Sequence, residues 1–452
     1  MDVQALRSRL SGRVVSEADD GWDVARRAWN LAAEQHPQLV VYPETSDDVI
    51  KVVAFARDQG LRVAPQGTGH GAAPLGALDD AVLVSTSRMR EVAIDAGQRR
   101  ARIGAGVKWG EVQAAAAVQG LAGLAGSSPG VGVVGYTLGG GHGWLARRYG
   151  LACNSVLAAD LVTADGRLLH VDREHEPDLF WALRGGGGSF GIVTALEFAL
   201  YPVRELYAGV LFWPQERAAE ILHAWQTWTT DLPDTVTSIG RLLNLPPIPM
   251  IPEGLRGRSF VLVEAACLAT ADEGRELLRP LREHKPEIDT FAMLPPTGLG
   301  ALHMDPIDPV PAFVDGALLV DLPPAAIDAL VEAAGPGSGS PLLSVEVRHL
   351  GAALTDPAPQ HGALASLEAA FGEATVSLVL NPEMAAAVEH YAGVVRSALA
   401  PWDAARNYFN FAEQSVELTD LFSPETCARL GRVKAQYDPR DFIQSTHPIP
   451  VV

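Results

Sequence analysis

Short apolar runs and helical periods alternate along the first part of the chain. Between residues 47 and 59, apolar residues recur at helical spacing, with Ser46 placed to cap the helix and Gly60 to end it. Asp165-Gly166 lies between two apolar runs and indicates a tight hairpin turn. The pattern predicts strands at 39–42, 61–64, 81–85, 101–103, 156–163, 168–171 and 192–200, and helices at 47–59, 109–118 and 178–183. These elements describe one α+β unit over 37–205, preceded by a helical lead-in at 1–36.

The middle of the chain alternates longer strand-like runs with amphipathic helices. The predicted strands are 238–244, 260–266, 317–321, 342–350 and 375–380, and the predicted helices are 271–284, 324–335, 363–371 and 383–399. The proline-rich segment 245–254 is predicted to be a loop, because proline cannot sit in a central strand. The pattern indicates an antiparallel sheet backed by helices over 206–400. An aromatic-rich segment at 401–452 is expected to pack back onto the first unit.

Composition and charge narrow the class of protein. The 452 residues are 48% hydrophobic and 20% charged, which is typical of a folded chain of two or three domains. A formal net charge of −19 argues against binding to nucleic acid or to an anionic membrane. Three widely spaced cysteines, the lack of a signal peptide and the lack of a long apolar run predict a cytoplasmic protein. The scattered histidines predict no metal site.

Glycine is concentrated in three clusters. They are Gly67, Gly69 and Gly71, then eleven glycines between positions 120 and 150, and then 185–188 with Gly191. Glycine lets the backbone approach a ligand closely and adopt positive φ. Because these clusters alternate with strand and helix signals, they indicate ligand-binding loops more than flexible linkers.

The first cluster lies in the segment PQGTGHGA, residues 65–72, which resembles the phosphate loop of FAD-linked oxidases of the vanillyl-alcohol oxidase superfamily. The likeness is greatest to the branch that contains berberine bridge enzyme and 6-hydroxy-D-nicotine oxidase. In that branch this loop supplies a histidine bonded to the 8α-methyl group of the flavin, and His70 stands at that place. The resemblance implies FAD linked covalently through His70, with successive loop N–H groups forming a nest for its pyrophosphate.

The second cluster is similar to the second FAD loop of the same family. Residues 126–151 carry the core GYTLGGG, followed by Gly143 and YGL. Some family members have a cysteine in this loop that makes a second bond, to flavin C6, and Ser128 occupies that position here. A hydroxyl is no substitute for a thiolate, so the resemblance implies a single link, through His70.

Two more segments extend the resemblance. Residues 179–198 are similar to the family segment that contacts the adenine side through backbone near Gly191. The aromatic run 408–411 and residues 437–442 resemble the return of the C-terminus to the flavin. Residues 445–449 depart from the asparagine-rich end that the family usually has, which leaves the partner of the flavin N1/C2 carbonyl open.

Together these segments imply a PCMH-type FAD-binding domain in two parts, 37–205 and 401–452, around an inserted substrate domain at 206–400. The implied FAD contacts are Gln66, Gly67, Thr68, Gly69, His70, Gly71, Ser127, Ser128, Gly132, Gly135, Tyr136, Thr137, Leu138, Gly139, Gly140, Gly141, Gly143, Gly191, Ile192, Val193, Tyr408 and Asn410.

Four residues are candidates for catalysis. Tyr408 stands where related oxidases place a tyrosine beside the flavin ring, and it acts as a base only if a cation or hydrogen bond lowers its pKa from about 10. Residues 344–354 resemble a strand of the family's substrate domain, in which alternation puts Glu346 and Arg348 on one face and His349 on the other. These three are alternative bases or, for the cations, groups that lower the pKa of the tyrosine. A solvated strand face is an equally open interpretation.

The resemblance implies hydride transfer from a small organic substrate to flavin N5, with O₂ as the expected acceptor and a monomer or homodimer as the expected state. Alcohols, sugars and amines remain open as substrates, because the fold does not choose among them. A dehydrogenase with another acceptor and a non-catalytic flavin-binding protein are the alternatives. A nicotinamide enzyme is disfavoured, because the glycines at 139, 140, 141 and 143 lack the GxGxxG spacing.

Overall fold

The computed structural model describes residues 2–248, 251, 253–414 and 416–451. Its strands are β1 (Arg13–Val15), β2 (Leu39–Tyr42), β3 (Arg62–Gln66), β4 (Ala81–Ser85), β5 (Val92–Asp95), β6 (Arg100–Gly104), β7 (Val156–Val162), β8 (Leu168–Val171), β9 (Ile192–Ala199), β10 (Leu206–Pro214), β11 (Val236–Asn244), β12 (Ser259–Cys267), β13 (Ile288–Asp289), β14 (Ala292–Leu294), β15 (Ala312–Leu319), β16 (Ser344–His349) and β17 (Phe371–Leu378). Its α-helices are α1 (Val3–Arg9), α2 (Trp22–Ala25), α3 (Ser46–Gln59), α4 (Trp109–Ala117), α5 (Val133–Leu138), α6 (Ala146–Tyr149), α7 (Pro177–Leu183), α8 (Ala218–Thr229), α9 (Ala271–Leu277), α10 (Arg279–Arg282), α11 (Pro324–Ala334), α12 (Pro382–Leu399), α13 (Leu418–Leu421) and α14 (Pro424–Tyr437).

The strands form three sheets. The first has the order β1-β2-β4-β3, with β2, β3 and β4 parallel, and the second has the antiparallel order β5-β6-β9-β7-β8. The third follows the order β13-β10-β12-β11-β16-β17-β15, with β14 paired to β10. Helices α8, α11 and α12 pack on one face of this third sheet, around buried Trp225, Leu330 and Val395. The other face of the third sheet lines a cavity.

Most predicted elements are confirmed, often to within two residues, but several differ. The helix predicted at 363–371 is wrong: the N–H groups of Ala363 and Leu364 bond to the carbonyls of Trp181 and Arg184, so tertiary partners replace a helical ladder. The helix predicted over 271–284 divides into α9 and α10. Helix α10 begins at Arg279, and Pro280 lies in its first turn, where its missing N–H needs no partner.

Other differences concern caps and missed elements. The cap of α3 is Thr45, whose hydroxyl accepts from the N–H of Asp48 at 3.1 Å, while the Ser46 hydroxyl donates to Thr194. Strand β10 and helix α8 were not predicted. The lead-in contains strand β1 as well as two short helices. Within the predicted loop 245–254, residues 249, 250 and 252 lie outside the described residues.

The C-terminal segment returns to the first sheet through a buried ion pair. Lys434 and Asp438, one helical turn apart, are both fully buried and their charged atoms lie 2.6 Å apart. Asp438 also accepts from the N–H groups of Phe442 and Ile443, each at 2.8 Å. These contacts hold Ile443 beside Val63 of β3, where the two residues pair in parallel. No helix among the described residues combines the length and apolar character of a membrane span.

Replacing Lys434 with methionine should lower the free energy of unfolding by about 3–5 kcal/mol, because Asp438 would stay buried without its countercharge. Lys51 and Asp47 form a matched control, since they are also four residues apart but Asp47 is exposed and Lys51 is partly exposed. Lys51→Met should cost about 1 kcal/mol or less. Urea denaturation of the three proteins measures the difference. Equal effects of the two substitutions would contradict the anchoring role of Lys434.

Candidate active site

One cavity of about 820 Å³ lies between the glycine-rich segments, the open face of the third sheet and the C-terminal segment. Its walls include most of the residues implied by the resemblance: Gln66, Gly67, Thr68, Gly69, His70, Gly71, Ser127, Ser128, Gly132, Gly135, Tyr136, Leu138, Gly191, Val193, Arg348, Tyr408 and Asn410. Gln66 and Asn410, which are 344 positions apart in the chain, therefore meet at one site. The remaining predicted residues, Thr137, Gly139, Gly140, Gly141, Gly143, Ile192, Glu346 and His349, are not in that wall.

His70 lies at one end of the cavity with an unsatisfied ring nitrogen. Its ring stacks on Trp29, with 3.9 Å between ring centroids. Its Nε2 is buried and has no hydrogen-bond partner among the described residues. Burial lowers the pKa of His70 to about 4, although nearby Asp305 opposes the shift. The imidazole is therefore neutral near pH 7, which is the form able to bond to an electrophilic carbon.

Glycines in the cavity wall and next to it fall into two groups, one facing open space and one in close contact with the C-terminal segment. A Cβ on Gly135 or Gly188 would meet nothing within 4 Å, so these positions present bare backbone to the cavity. A Cβ on Gly139 would lie 2.5 Å from Asn410 Oδ1, and one on Gly140 would lie 3.0 Å from the Tyr408 ring. Gly139 and Gly140 therefore leave room for the C-terminal residues, and their role as FAD contacts stays a prediction.

Several buried polar atoms in the wall lack protein partners. Besides His70 Nε2, these are Tyr136 Oη, both ring nitrogens of His142, Asn410 Oδ1, Gln444 Oε1 and His447 Nδ1. Asn410 is held in place because its Nδ2 donates to the Tyr136 carbonyl at 3.0 Å. Unpaired buried polar atoms are costly, so such a cluster indicates a polar ligand. The bare glycine backbone, the free His70 nitrogen and these atoms fit FAD.

A chain of paired charges lies beneath the third sheet's open face. Arg241 bonds to Glu264 at 3.0 Å, and His303 lies between the two carboxylates of Glu264 and Glu346, at 2.5 and 2.8 Å. Glu346 pairs in turn with Arg348 at 2.6 Å. Burial and Arg241 oppose protonation of His303, but the surrounding carboxylates raise its pKa to about 9. Burial would raise the pKa of Glu346, yet Arg348 and His303 hold it below its usual range.

Tyr408 does not meet the condition set for a phenolate base. It is 3% exposed, and its hydroxyl accepts from the backbone N–H of His142 at 2.9 Å. Burial dominates over that hydrogen bond and over Arg348, so the pKa of Tyr408 lies above its usual value. The phenol is therefore neutral at physiological pH.

His349 is on the strand face opposite Glu346 and Arg348, as alternation predicted. It stacks on Phe371 with 5.5 Å between centroids, and burial lowers its pKa to about 3. The His349 ring does not line the cavity, and a catalytic role for it stays a prediction.

Other cavity residues were missed by the sequence analysis: Trp29, Asn30, His142, Arg241, His303, Asp305 and Glu413. Asn30 Nδ2 donates to Glu413 at 3.3 Å, and burial raises the pKa of Glu413 to about 8. His142 lies in the motif GGGHG and is the one with a local signal, since it follows three glycines of a recognised loop. The others carry no motif and reach the cavity through tertiary folding alone.

Comparison with known proteins supports this interpretation of the cavity. The FAD binding domain family matches residues 37–172. The chain is 37% identical to (R)-6-hydroxynicotine oxidase of Paenarthrobacter nicotinovorans over 205 residues, which cover 45% of each chain. It is 33% identical to glucooligosaccharide oxidase of Sarocladium strictum over 218 residues, which cover 47% of this chain and 44% of the relative. The chain spans about half the length of the curated relatives it matches.

The fold comparison extends over the whole chain. The crystal structure of 6-hydroxy-D-nicotine oxidase from Arthrobacter nicotinovorans matches with a TM-score of 0.83 and 25% identity over 96% of each chain. Helices with mainly antiparallel sheets confirm the predicted α+β class. Residues 37–172 therefore form an FAD binding domain, and the chain has the fold of the PCMH-type FAD-linked oxidases of the vanillyl-alcohol oxidase superfamily, as its motifs predicted.

Proposed function

We propose that the protein is an FAD-dependent oxidoreductase that oxidises a small organic molecule. The observation that carries the proposal is the single cavity in which the unpartnered nitrogen of His70 and the bare glycine backbone face a buried, ordered network of charges. Such a wall supplies one surface for a cofactor and another for a substrate.

When bound, FAD would supply two-electron oxidation of a substrate C–H bond. We propose that the neutral His70 forms one covalent bond to it through Nε2, while Tyr136, Asn410 and His447 bind its polar edges. No cysteine among the described residues lines the cavity, and burial raises the pKa of Cys153 and Cys267 to about 12. These thiols are therefore poor nucleophiles, which supports a single link.

The proton of an alcohol substrate needs an acceptor. Tyr408 is protonated, and Glu346 is ionised but engaged by Arg348 and His303. We therefore propose that Tyr408 acts as a neutral hydrogen-bonding group toward the ligand and that Arg348 and Glu346 fix the charge of the inner wall. An uncharged amine would need no such acceptor, and the fold leaves both substrates open.

O₂ is the acceptor we propose, because the two named relatives are oxidases. A purified sample should show the visible absorption of a flavin. Screening alcohols, sugars and amines for peroxide release then tests the function directly. Reduction of a dye without release of peroxide would show that another molecule, and not O₂, is the acceptor. A protein that holds no flavin after reconstitution with FAD would refute the proposal. A cytoplasmic location and a monomeric or homodimeric state stay predictions.

The covalent link predicts that acid precipitation or heating in detergent leaves flavin on the chain. His70→Ala should abolish this attachment, because it removes the free Nε2, while the glycine backbone still binds FAD reversibly. His36→Ala is the control, since His36 is an exposed histidine. Mass spectrometry of a digest should place FAD on the His70 peptide alone. Complete release from the wild type, or an adduct on a cysteine peptide, would contradict the single link.

Tyr408→Phe should leave the flavin content unchanged and slow anaerobic flavin reduction by about tenfold or less, since it deletes one hydrogen bond of a neutral phenol. Stopped-flow absorbance with a substrate from the screen measures the rate. Tyr391→Phe, on helix α12 away from the cavity, is the control. A loss of about 10²–10⁴-fold would restore Tyr408 as the base.

A further inference from the structure

The outer part of the substrate-facing wall is apolar. Its apolar side chains are Leu243, Leu245, Val314, Leu343, Val376 and Leu378, which belong to strands β11, β15 and β17 and to the segments beside β11 and β16. Two hydroxyl residues, Ser344 and Ser377, also line this part, but they already accept hydrogen bonds from Arg241 Nε and from the N–H of Leu343. The apolar side chains offer no hydrogen bonds to a ligand. A sugar would have to bury several hydroxyl groups against them without partners, which is unfavourable. The outer wall therefore suits a hydrocarbon ring or chain.

The inner end of the cavity is charged, but its charges are already paired. Arg241, His303 and Arg348 face the cavity, and each forms an ion pair with Glu264 or Glu346 behind them. Asp305 is a third carboxylate, held by the Ser127 hydroxyl at 2.7 Å. With His303 protonated, three cations meet three anions, so the inner end has no net formal charge. A carboxylate or ammonium ligand would find no unbalanced countercharge to offset its desolvation.

His142 provides a neutral polar group at this inner end. The ring is 5% exposed and lines the cavity, and neither of its nitrogens has a hydrogen-bond partner among the described residues. The backbone N–H of His142 donates to the Tyr408 hydroxyl, which holds the His142 backbone in place. Burial and Arg348 lower the pKa of His142 to about 3. A neutral imidazole offers one donor and one acceptor, which matches a single hydroxyl group.

We propose that the substrate is an uncharged, mainly apolar molecule carrying one hydroxyl group, and that the His142 ring hydrogen-bonds this group while the outer wall holds the hydrocarbon. This inference rests on the proposed function and names its substrate class. It assigns His142 as a substrate-binding residue, and it excludes oligosaccharides and carboxylates as preferred ligands.

Binding of four probes to the FAD-loaded enzyme tests the proposal: 2-naphthylmethanol, 2-methylnaphthalene, 2-naphthoate and cellobiose. Each is titrated anaerobically, and the shift of the flavin absorption spectrum gives its Kd; reduction of the flavin by the alcohol would be followed separately. We expect 2-naphthylmethanol to bind more tightly than 2-naphthoate and cellobiose by about tenfold or more, which is the size of one good hydrogen bond. The carboxylate of 2-naphthoate would lose water without gaining a countercharge, and cellobiose would bury hydroxyl groups without partners. Tighter binding of the carboxylate or of the sugar would overturn the substrate class.

Substitution of His142 tests its own part. His142→Leu should weaken the alcohol by about tenfold and leave 2-methylnaphthalene, which lacks the hydroxyl, within about twofold. His142→Gln, which keeps a donor and an acceptor, should recover most of the alcohol affinity. Leu378→Asn should instead weaken both probes together. Equal weakening of both probes by His142→Leu would reduce His142 to a packing residue and refute the assignment. A protein that takes up no FAD would refute the proposed function instead, so the two failures are distinguishable.

Discussion

The cavity depends on one steric condition, the close approach of the C-terminal segment to the second glycine-rich loop. Asn410 and Tyr408 lie where a side chain on Gly139 or Gly140 would stand. Any larger residue would push the segment outward and separate the two walls. The amide of Asn410 then bonds to the Tyr136 carbonyl, and the backbone of His142 bonds to Tyr408. The glycine backbone at 139–140 thus gives the C-terminal segment the room to pack against this loop and complete the site.

The charge network provides the complementary wall. Its members come from β11, β12, β16 and the segment before β15, and each carboxylate is shared by two cations. Removing one member would leave a buried charge unpaired, at a cost larger than the pair itself contributes. The members of the network therefore depend on one another, and their formal charges balance at the cavity surface.

The sequence predicted the elements whose signals are local. Strands β4 and β8 were predicted to the residue, because each is a short apolar run between turn residues. The helix expected at 363–371 failed because its backbone donors bond to Trp181 and Arg184, which no local pattern reveals. In the site, glycine-rich loops and His70 carried motifs. Asn30, His303 and Glu413 did not, since their proximity arises from chain segments far apart in sequence.

The stacking of Trp29 on His70 bears on where the functional unit begins. The stretch that matches the FAD binding domain starts at residue 37, yet Trp29 and Asn30 bond to the carbonyls of Thr68 and Gly69 and cover the histidine from outside. Asn30 also bonds to Ala312 on the third sheet. The lead-in thus connects the glycine-rich loop at 67–71 to the third sheet, at the end of the cavity where His70 lies. An excised fragment that began at the domain's own boundary would expose His70 to water and lose the contacts that keep its ring in a low-dielectric setting.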